Sequence, residues 1–438
     1  MKNVLVIGLG KSGISASRLL AENGDKVLIS DMNDNDHLRE CSENLVKEGI
    51  VKEDNIELGG HTDRLVEVAD LVVVSPGVNS DSSVIKTAEN KGITVISEIE
   101  LAYSMCMAPV IAVTGTSGKT TVTTLIGQML ERAGFDAIVC GNIGNPFSGE
   151  INRINRLFTE NKHKGKWHTL VVLEVSSFQL ERVKTFKPII SVILNISSNH
   201  LDRHSSMEEY VFLKSIVYSN QNEDDIVFLN GKDKVLREMA NMINKTKVEY
   251  FDEYKDFGVK YNIKNENYLA AMSAASFLVS DDIMLDVISG FKGIEHRLEY
   301  VANVEGVDII NDSKATTISS VKWALEKLEG DIILIMGGRY KGGDFGVLEP
   351  LISKKVKYVI VIGEASLRIL RDLASVPNIV EAPNLQEAVK KALSVAKKGY
   401  KLLLSPGCSS FDMFKDYKER GRIFKEICLC REKDASCP

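Results

Sequence analysis

Short apolar runs recur along the chain, separated by stretches with helical spacing. The runs at 4–7, 26–29, 71–74 and 94–96 are continuously apolar. Runs of that length and kind predict strands buried on both faces of a parallel sheet. A second series follows at 110–114, 170–173, 190–195 and 226–229, and a third at 308–311, 332–336, 358–362 and 401–404. Strand and helix alternate within each series, which is the α/β pattern. Boundaries are expected near 97 and 293, dividing the chain into 1–97, 98–293 and 294–438. The segment 148–168 is polar and is expected to be a surface excursion. The chain has no short internal repeat and no low-complexity segment.

The sharpest chemical signal lies at the end of the run at 110–114. There the chain reads Thr114-Gly115-Thr116-Ser117-Gly118-Lys119-Thr120-Thr121. A strand, a glycine loop and a helix start turn backbone N–H groups toward an anion, and the helix dipole favours negative charge there. Lys119 supplies a point charge for the β- and γ-phosphates of a nucleotide, and Thr120 a hydroxyl for a magnesium ion. Val113 stands where the general P-loop has its first glycine, so the loop is a variant. The run at 170–173 leads into Glu174, a carboxylate poorly placed for packing and well placed to hold a divalent cation. After the run at 190–195 come His200, Asp202 and His204, a polar stack where a turn belongs. Tyr210 and Lys214 fall at i,i+4 on one helix face, and spacing alone reads Lys214 as a surface charge.

Composition narrows the classes. The 438 residues are 44% hydrophobic and 26% charged, as in ordinary soluble domains. The net charge of -6 argues against a nucleic-acid-coating role. Met1-Lys2-Asn3 runs straight into the first apolar run, without a signal-peptide pattern. No apolar stretch reaches the roughly 18 residues that span a membrane. A cytoplasmic protein with no membrane partner is expected. The seven cysteines lie at 41, 106, 140, 408, 428, 430 and 437, an odd number without paired metal-ligand spacing, and read as reduced thiols.

Gly8-x-Gly10-x-x-Gly13 follows the first strand and Asp31 ends the second. Alone this reads as a dinucleotide fingerprint and would suggest an oxidoreductase. The phosphate loop on its own is also compatible with a nucleotide-driven switch.

The motifs taken together resemble the Mur ligase family. Further matches are Gly293-Ile-Glu-His296-Arg297-Leu-Glu299, Asn311-Asp312-Ser313-Lys314-Ala-Thr316, and Ser405-Pro406-Gly407-Cys-Ser-Ser410 with Lys418-Glu-Arg420-Gly421. The last two are most similar to the member that adds D-glutamate, and no Asp-Asn-Pro-Arg motif of a diamino-acid-adding member is present. The resemblance implies three α/β domains: a Rossmann-like N-terminal domain for the UDP substrate, a central P-loop ATPase-type domain with a mainly parallel sheet, and a Rossmann-like C-terminal domain for the amino acid. It implies an ATP-dependent ligase that uses ATP and two Mg²⁺ ions to join D-glutamate to UDP-N-acetylmuramoyl-L-alanine, acting as a monomer on small molecules. It assigns Gly115, Thr116, Ser117, Gly118, Lys119, Thr120, Thr121, Asn267, Arg297 and Asp312 to ATP. Lys11, Ser12, Gly13, Asp31, Ser75, Gly77, Asn142 and His200 fall to the UDP substrate, and Thr316, Lys341, Ser410 and Tyr417 to D-glutamate. Thr120, Glu174, His200 and Lys214 fall to metal, with Lys119, His200 and Lys214 catalytic and Lys214 carbamylated. Two positions depart from the family pattern. Ile263-Lys264 replaces a His-Asn pair before the adenine-side Asn267, and Tyr417 stands in place of Phe.

Overall fold

The structure, a computed structural model, describes residues 1–165, 167–197, 206–340 and 342–430. The chain forms two compact units, Met1–Phe291 and Lys292–Pro438. The first unit holds two sheets. One is fully parallel, with β1 (Asn3–Ile7), β2 (Lys26–Asp31), β3 (Ile56–Leu58), β4 (Leu71–Val74) and β5 (Thr94–Ser97) in the order β3-β2-β1-β4-β5. The other is also parallel, with β6 (Val110–Thr114), β7 (Asp136–Gly141), β8 (Thr169–Glu174), β9 (Ile190–Ile193), β10 (Ile226–Leu229) and β11 (Lys247–Tyr250) in the order β11-β10-β9-β6-β8-β7. The second unit carries β12 (Glu299–Val304), β13 (Val307–Asn311), β14 (Ile332–Gly337), β15 (Val356–Ile362), β16 (Ile379–Glu381) and β17 (Lys401–Leu404), ordered β12-β13-β17-β14-β15-β16. Only the β12–β13 pair in that sheet is antiparallel.

The apolar runs are strands because helices cover both faces of these sheets. Ile111, Val113, Val172 and Val192 face one core of the second sheet, and Val110, Ala112, Val171 and Ile193 face another. Every run read as a strand is one. The segment 148–168 is corrected: its first part is the helix Phe147–Asn161, with Phe147, Ile151 and Ile154 buried. Their i,i+4,i+7 spacing makes one apolar stripe in an otherwise polar sequence.

The helix Glu98–Met105 binds the first sheet to the second through two buried carboxylates. Glu98 accepts from Ser148 N at 2.7 Å, at the start of the Phe147–Asn161 helix. Glu100 accepts from the backbone N–H groups of Lys184, Thr185 and Phe186 at 2.8–3.1 Å and from the Thr185 hydroxyl at 2.6 Å. A carboxylate receiving several N–H donors is a strong buried pairing, and its removal leaves those donors unmade. Glu100→Ala is therefore expected to destabilise the first unit by about 2–4 kcal/mol, read as a lower urea midpoint, with Glu100→Gln losing less.

Candidate active site

β6 ends in the phosphate loop. Gly115 has φ +145°, and a Cβ there would lie 3.0 Å from Leu194 Cβ, so the loop is pressed against the end of β9. Gly118 takes φ +84° and caps the helix Lys119–Arg132. Asn195, which follows β9, braces the loop from the other side: its Oδ1 accepts from Ser117 N at 2.9 Å and its backbone oxygen from Thr116 N at 3.0 Å. Thr116 Oγ1 in turn accepts from Ser197 N at 3.0 Å and lies 3.2 Å from Tyr210 Oη. Asn267 packs over Gly118, its Oδ1 2.4 Å from where a Cβ would sit. Ile263 packs against the apolar core, and Asn265 caps the helix Glu266–Ala275 by accepting from Asn267 N.

Two lysines meet in the loop. Lys119 Nζ donates to Gly115 O at 2.9 Å and Thr116 O at 3.1 Å. Lys214 Nζ donates to the same Gly115 oxygen at 3.1 Å and sits 4.6 Å above the centre of the Tyr210 ring. Lys214 is 1% exposed, so the surface reading from spacing alone is overturned. The helix Met207–Ser215 turns that face inward, burying Tyr210, Leu213 and Lys214 together. Burial, and secondarily the charge of Lys119, push the Lys214 pKa down to about 6.

At the end of β8, Glu174 is 2% exposed. Asn142 Nδ2 donates to its Oε1 at 2.8 Å, while its buried Oε2 has no hydrogen-bond partner among the described residues. An orphaned buried carboxylate oxygen close to a phosphate loop fits a hard cation such as magnesium. Thr120, 4% exposed in the first turn of the Lys119–Arg132 helix, adds a hydroxyl.

In the first sheet, the helix Lys11–Glu22 begins without a side-chain cap. A Cβ on Gly13 would lie 1.9 Å from Gly8 O, so this helix approaches the loop as only glycine allows. Ser75 Oγ donates to Gly8 O at 2.8 Å, and Gly77 is exposed beside it. Asp31 accepts from Leu9 N at 2.7 Å and from Asn33 N at 2.9 Å, so its carboxylate stitches the β1 and β2 loops together.

The second unit gathers another set. Asp312, 3% exposed after β13, accepts from Ser405 Oγ at 2.8 Å and Leu298 N at 3.2 Å, and burial raises it to about 7. The Arg297 guanidinium lies 5.4 Å from the Trp323 ring centre. Arg420, fully buried and without a carboxylate partner among the described residues, donates to Ser313 Oγ and O at 3.0 and 2.9 Å, to Cys408 O at 3.2 Å and to Ser409 O at 3.3 Å. Gly407 N donates to Ala315 O at 2.8 Å and Ser313 Oγ to Tyr417 O at 2.8 Å. Arg420 and these bonds draw together the segments carrying Thr316, Ser410 and Tyr417. Sequence reading gave neither Arg420 nor Asn195 a role of its own: Arg420 stood only within a motif, and Asn195 at the end of an apolar run. His200 and Lys341 lie outside the described residues.

Two curated proteins decide the family. The UDP-N-acetylmuramoylalanine–D-glutamate ligase of Geobacter sp. (strain M21) is 37% identical over 459 residues, 99% of this chain and 98% of the relative. That of Koribacter versatilis (strain Ellin345) is 39% identical over 457 residues, 97% of each. The chain belongs to the Mur ligase family. Family models agree along its length: a MurD-like N-terminal domain matches residues 2–97, the Mur ligase middle domain 113–293, and the Mur ligase glutamate ligase domain 296–408. The Mur ligase fold is shared with UDP-N-acetylmuramate-alanine ligase MurC of Thermotoga maritima, at TM-score 0.55 and 17% identity over 99% of this chain and 100% of that one. MurF of Acinetobacter baumannii matches at TM-score 0.55 and 16% identity, over 83% and 87%.

The buried amine of this Mur ligase carries a linkage. Its folded pKa of about 6 lies below the 10.5 of an exposed lysine, so the unfolded chain binds the proton more tightly between those values. Lys214 thus costs stability at neutral pH, and the cost fades as pH rises toward 10.5. Lys214→Met is expected to raise the unfolding midpoint at pH 7 in carbon-dioxide-free buffer. The gain should shrink toward pH 10 and turnover should be lost; a gain that grows with pH would contradict the buried, neutral amine.

Proposed function

We propose that this Mur ligase joins D-glutamate to the L-alanine carboxylate of UDP-N-acetylmuramoyl-L-alanine, with cleavage of ATP to ADP and phosphate. The observation that carries this reading is full-length similarity, at 37–39% identity, to ligases named for that reaction. The phosphate loop around Lys119 and the open Glu174 oxygen support the ATP half of it. Residues 1–97 take the UDP part, 98–293 the ATP, and 294–438 the amino acid.

The reaction has two steps. The L-alanine carboxylate attacks the γ-phosphorus of ATP, the bond to ADP breaks, and an acyl phosphate forms. The D-glutamate amine then attacks the acyl carbon, phosphate leaves, and the amine proton is released. Charge on the transferring phosphoryl group is the main obstacle, and preorganised cations answer it. Lys119 is held at the helix start by two loop carbonyls that a nucleotide phosphate replaces. Gly118, Thr120 and Thr121 present N–H groups at the helix start, Thr116 and Ser117 shape the loop through their bonds to Asn195, and Asn267 closes over Gly118 toward the base. Glu174 and Thr120 would hold magnesium, which when bound offsets charge on the phosphates. Lys214 is neutral at pH 7, so its nitrogen lone pair can take up carbon dioxide, releasing a proton and giving a carbamate that would add oxygens to the metal site, for which His200 is a further proposed ligand. Arg297 and Asp312 contact the nucleotide. The helix start at Lys11, Ser12 and Gly13, with Asp31, Ser75, Gly77 and Asn142, receives the UDP substrate. Thr316, Lys341, Ser410 and Tyr417 bind D-glutamate.

Phosphate release from ATP should require both UDP-N-acetylmuramoyl-L-alanine and D-glutamate, and L-glutamate should not substitute. Release that is indifferent to D-glutamate would overturn the assignment. Ser410→Ala should raise the D-glutamate KM about tenfold, the loss of one hydrogen bond to a carboxylate, while leaving the ATP KM near its original value. Lys214→Ala should be inactive, and short carboxylic acids should restore part of the turnover by supplying oxygens.

A further inference from the structure

β3 leaves the first sheet at Leu58 and turns at Gly59, φ +83°. Gly59 N donates to Asn33 O at 3.1 Å and Gly60 N to Asp31 O at 3.2 Å, which lays the turn across the chain that follows β2. His61 is thereby folded back over the end of β2, with Nδ1 2.6 Å from Ser30 Oγ. The next residues are pinned as well. Glu57 accepts from Thr62 Oγ1 at 2.6 Å, Thr62 N at 3.2 Å and Arg64 Nε at 3.0 Å. Arg64 Nη1 also donates to Asp54 O at 2.7 Å. The imidazole is half-buried on a braced loop, and its Nε2 has no hydrogen-bond partner among the described residues. Burial holds its pKa below the ordinary imidazole value against the opposing pull of Asp31 and Glu57, so the ring is neutral at pH 7.

The surroundings limit what lies above it. A pyrophosphate at the Lys11–Glu22 helix start has the β4 side closed. Val78 and Ser75 lie 2.8 and 3.0 Å from where a Cβ of Gly8 would sit. On the other side of β1 the sheet continues through β2 to β3. Along that path stand Asp31 at the end of β2, the exposed apolar side chain of Met32, and His61. Asp31 spends three acceptor positions on Leu9 N, Asn33 N and Asn33 Nδ2. His61 is the side chain on this path with a ring nitrogen to spare.

We propose that His61 recognises the uridine of the UDP substrate, its Nε2 forming a hydrogen bond with the uracil edge or a ribose hydroxyl. This rests on reading the Gly8–Gly13 loop as the UDP-substrate site. Both groups offer the same chemistry, a donor and an acceptor suited to one imidazole nitrogen. The braced loop holds the ring in place before binding, which limits the ordering cost.

Calorimetric binding of UDP-N-acetylmuramoyl-L-alanine to the full chain tests this, with His61→Phe, which keeps a ring, and His61→Gln, which keeps a hydrogen-bonding group at the Nε2 position. His61→Phe should bind roughly five- to tenfold more weakly, the loss of one hydrogen bond. The KM values for ATP and D-glutamate and the kcat should be unchanged, and His61→Gln should recover most of the affinity. The wild-type advantage should vanish with a cytidine analogue if the base is read, and with a 2′-deoxy analogue if the ribose is. Equal affinity of wild type and His61→Phe overturns the inference while leaving the ligase reading intact. Failure of the wild type to bind the UDP substrate overturns the ligase reading itself.

Discussion

Two lysines converge on the carbonyl oxygen of Gly115, and the central site is organised around that meeting. Burial first, and the charge of Lys119 second, push Lys214 toward the neutral amine. The arrangement requires a glycine at 115, because β9 leaves no room for a Cβ. It requires Tyr210 under Lys214 and Asn195 against the loop backbone. The same few ångströms thus hold a charged and a neutral side chain of one residue type.

The rest of the chemistry sits where parallel strands end. Gly8 follows β1, Asp31 ends β2, Gly115 follows β6, Glu174 ends β8, Asn195 follows β9 closely, and Asp312 follows β13. Open parallel sheets expose such ends at the switch in strand order, and ligands collect there. In each case the polar side chain first secures a neighbouring loop. Asp31 holds Leu9, Glu174 holds Asn142, and Asp312 accepts from Ser405. Rigidity of the loops and the capacity to bind come from the same carboxylates.

Much of this was legible in the residues, and the omissions share a cause. The five strands that the apolar pattern missed, β3, β7, β11, β12 and β16, all lie at sheet edges. An edge strand has one neighbour and mixed exposure, so β3 and β11 are Ile-Glu-Leu and Lys-Val-Glu-Tyr rather than apolar runs. The phosphate loop was legible because its glycines have little other reason to precede Lys119. Lys214 was not legible from spacing, since nothing in i,i+4 spacing tells which face of a nine-residue helix turns inward. Arg420 was hidden for a different reason. Its partners are three backbone oxygens and one serine hydroxyl, and backbone partners leave no trace in residue identity.

The helix Glu98–Met105 follows the last strand of the first sheet, yet both its buried carboxylates accept hydrogen bonds from segments of the second. A family boundary drawn at residue 97 therefore marks a change of sequence pattern, not a mechanical seam. A fragment ending at 105 would carry two acids stripped of their donors, and a fragment beginning at 106 would leave the N–H groups of 184–186 without their acceptor. A cut between the first two sheets therefore breaks both sets of bonds at once.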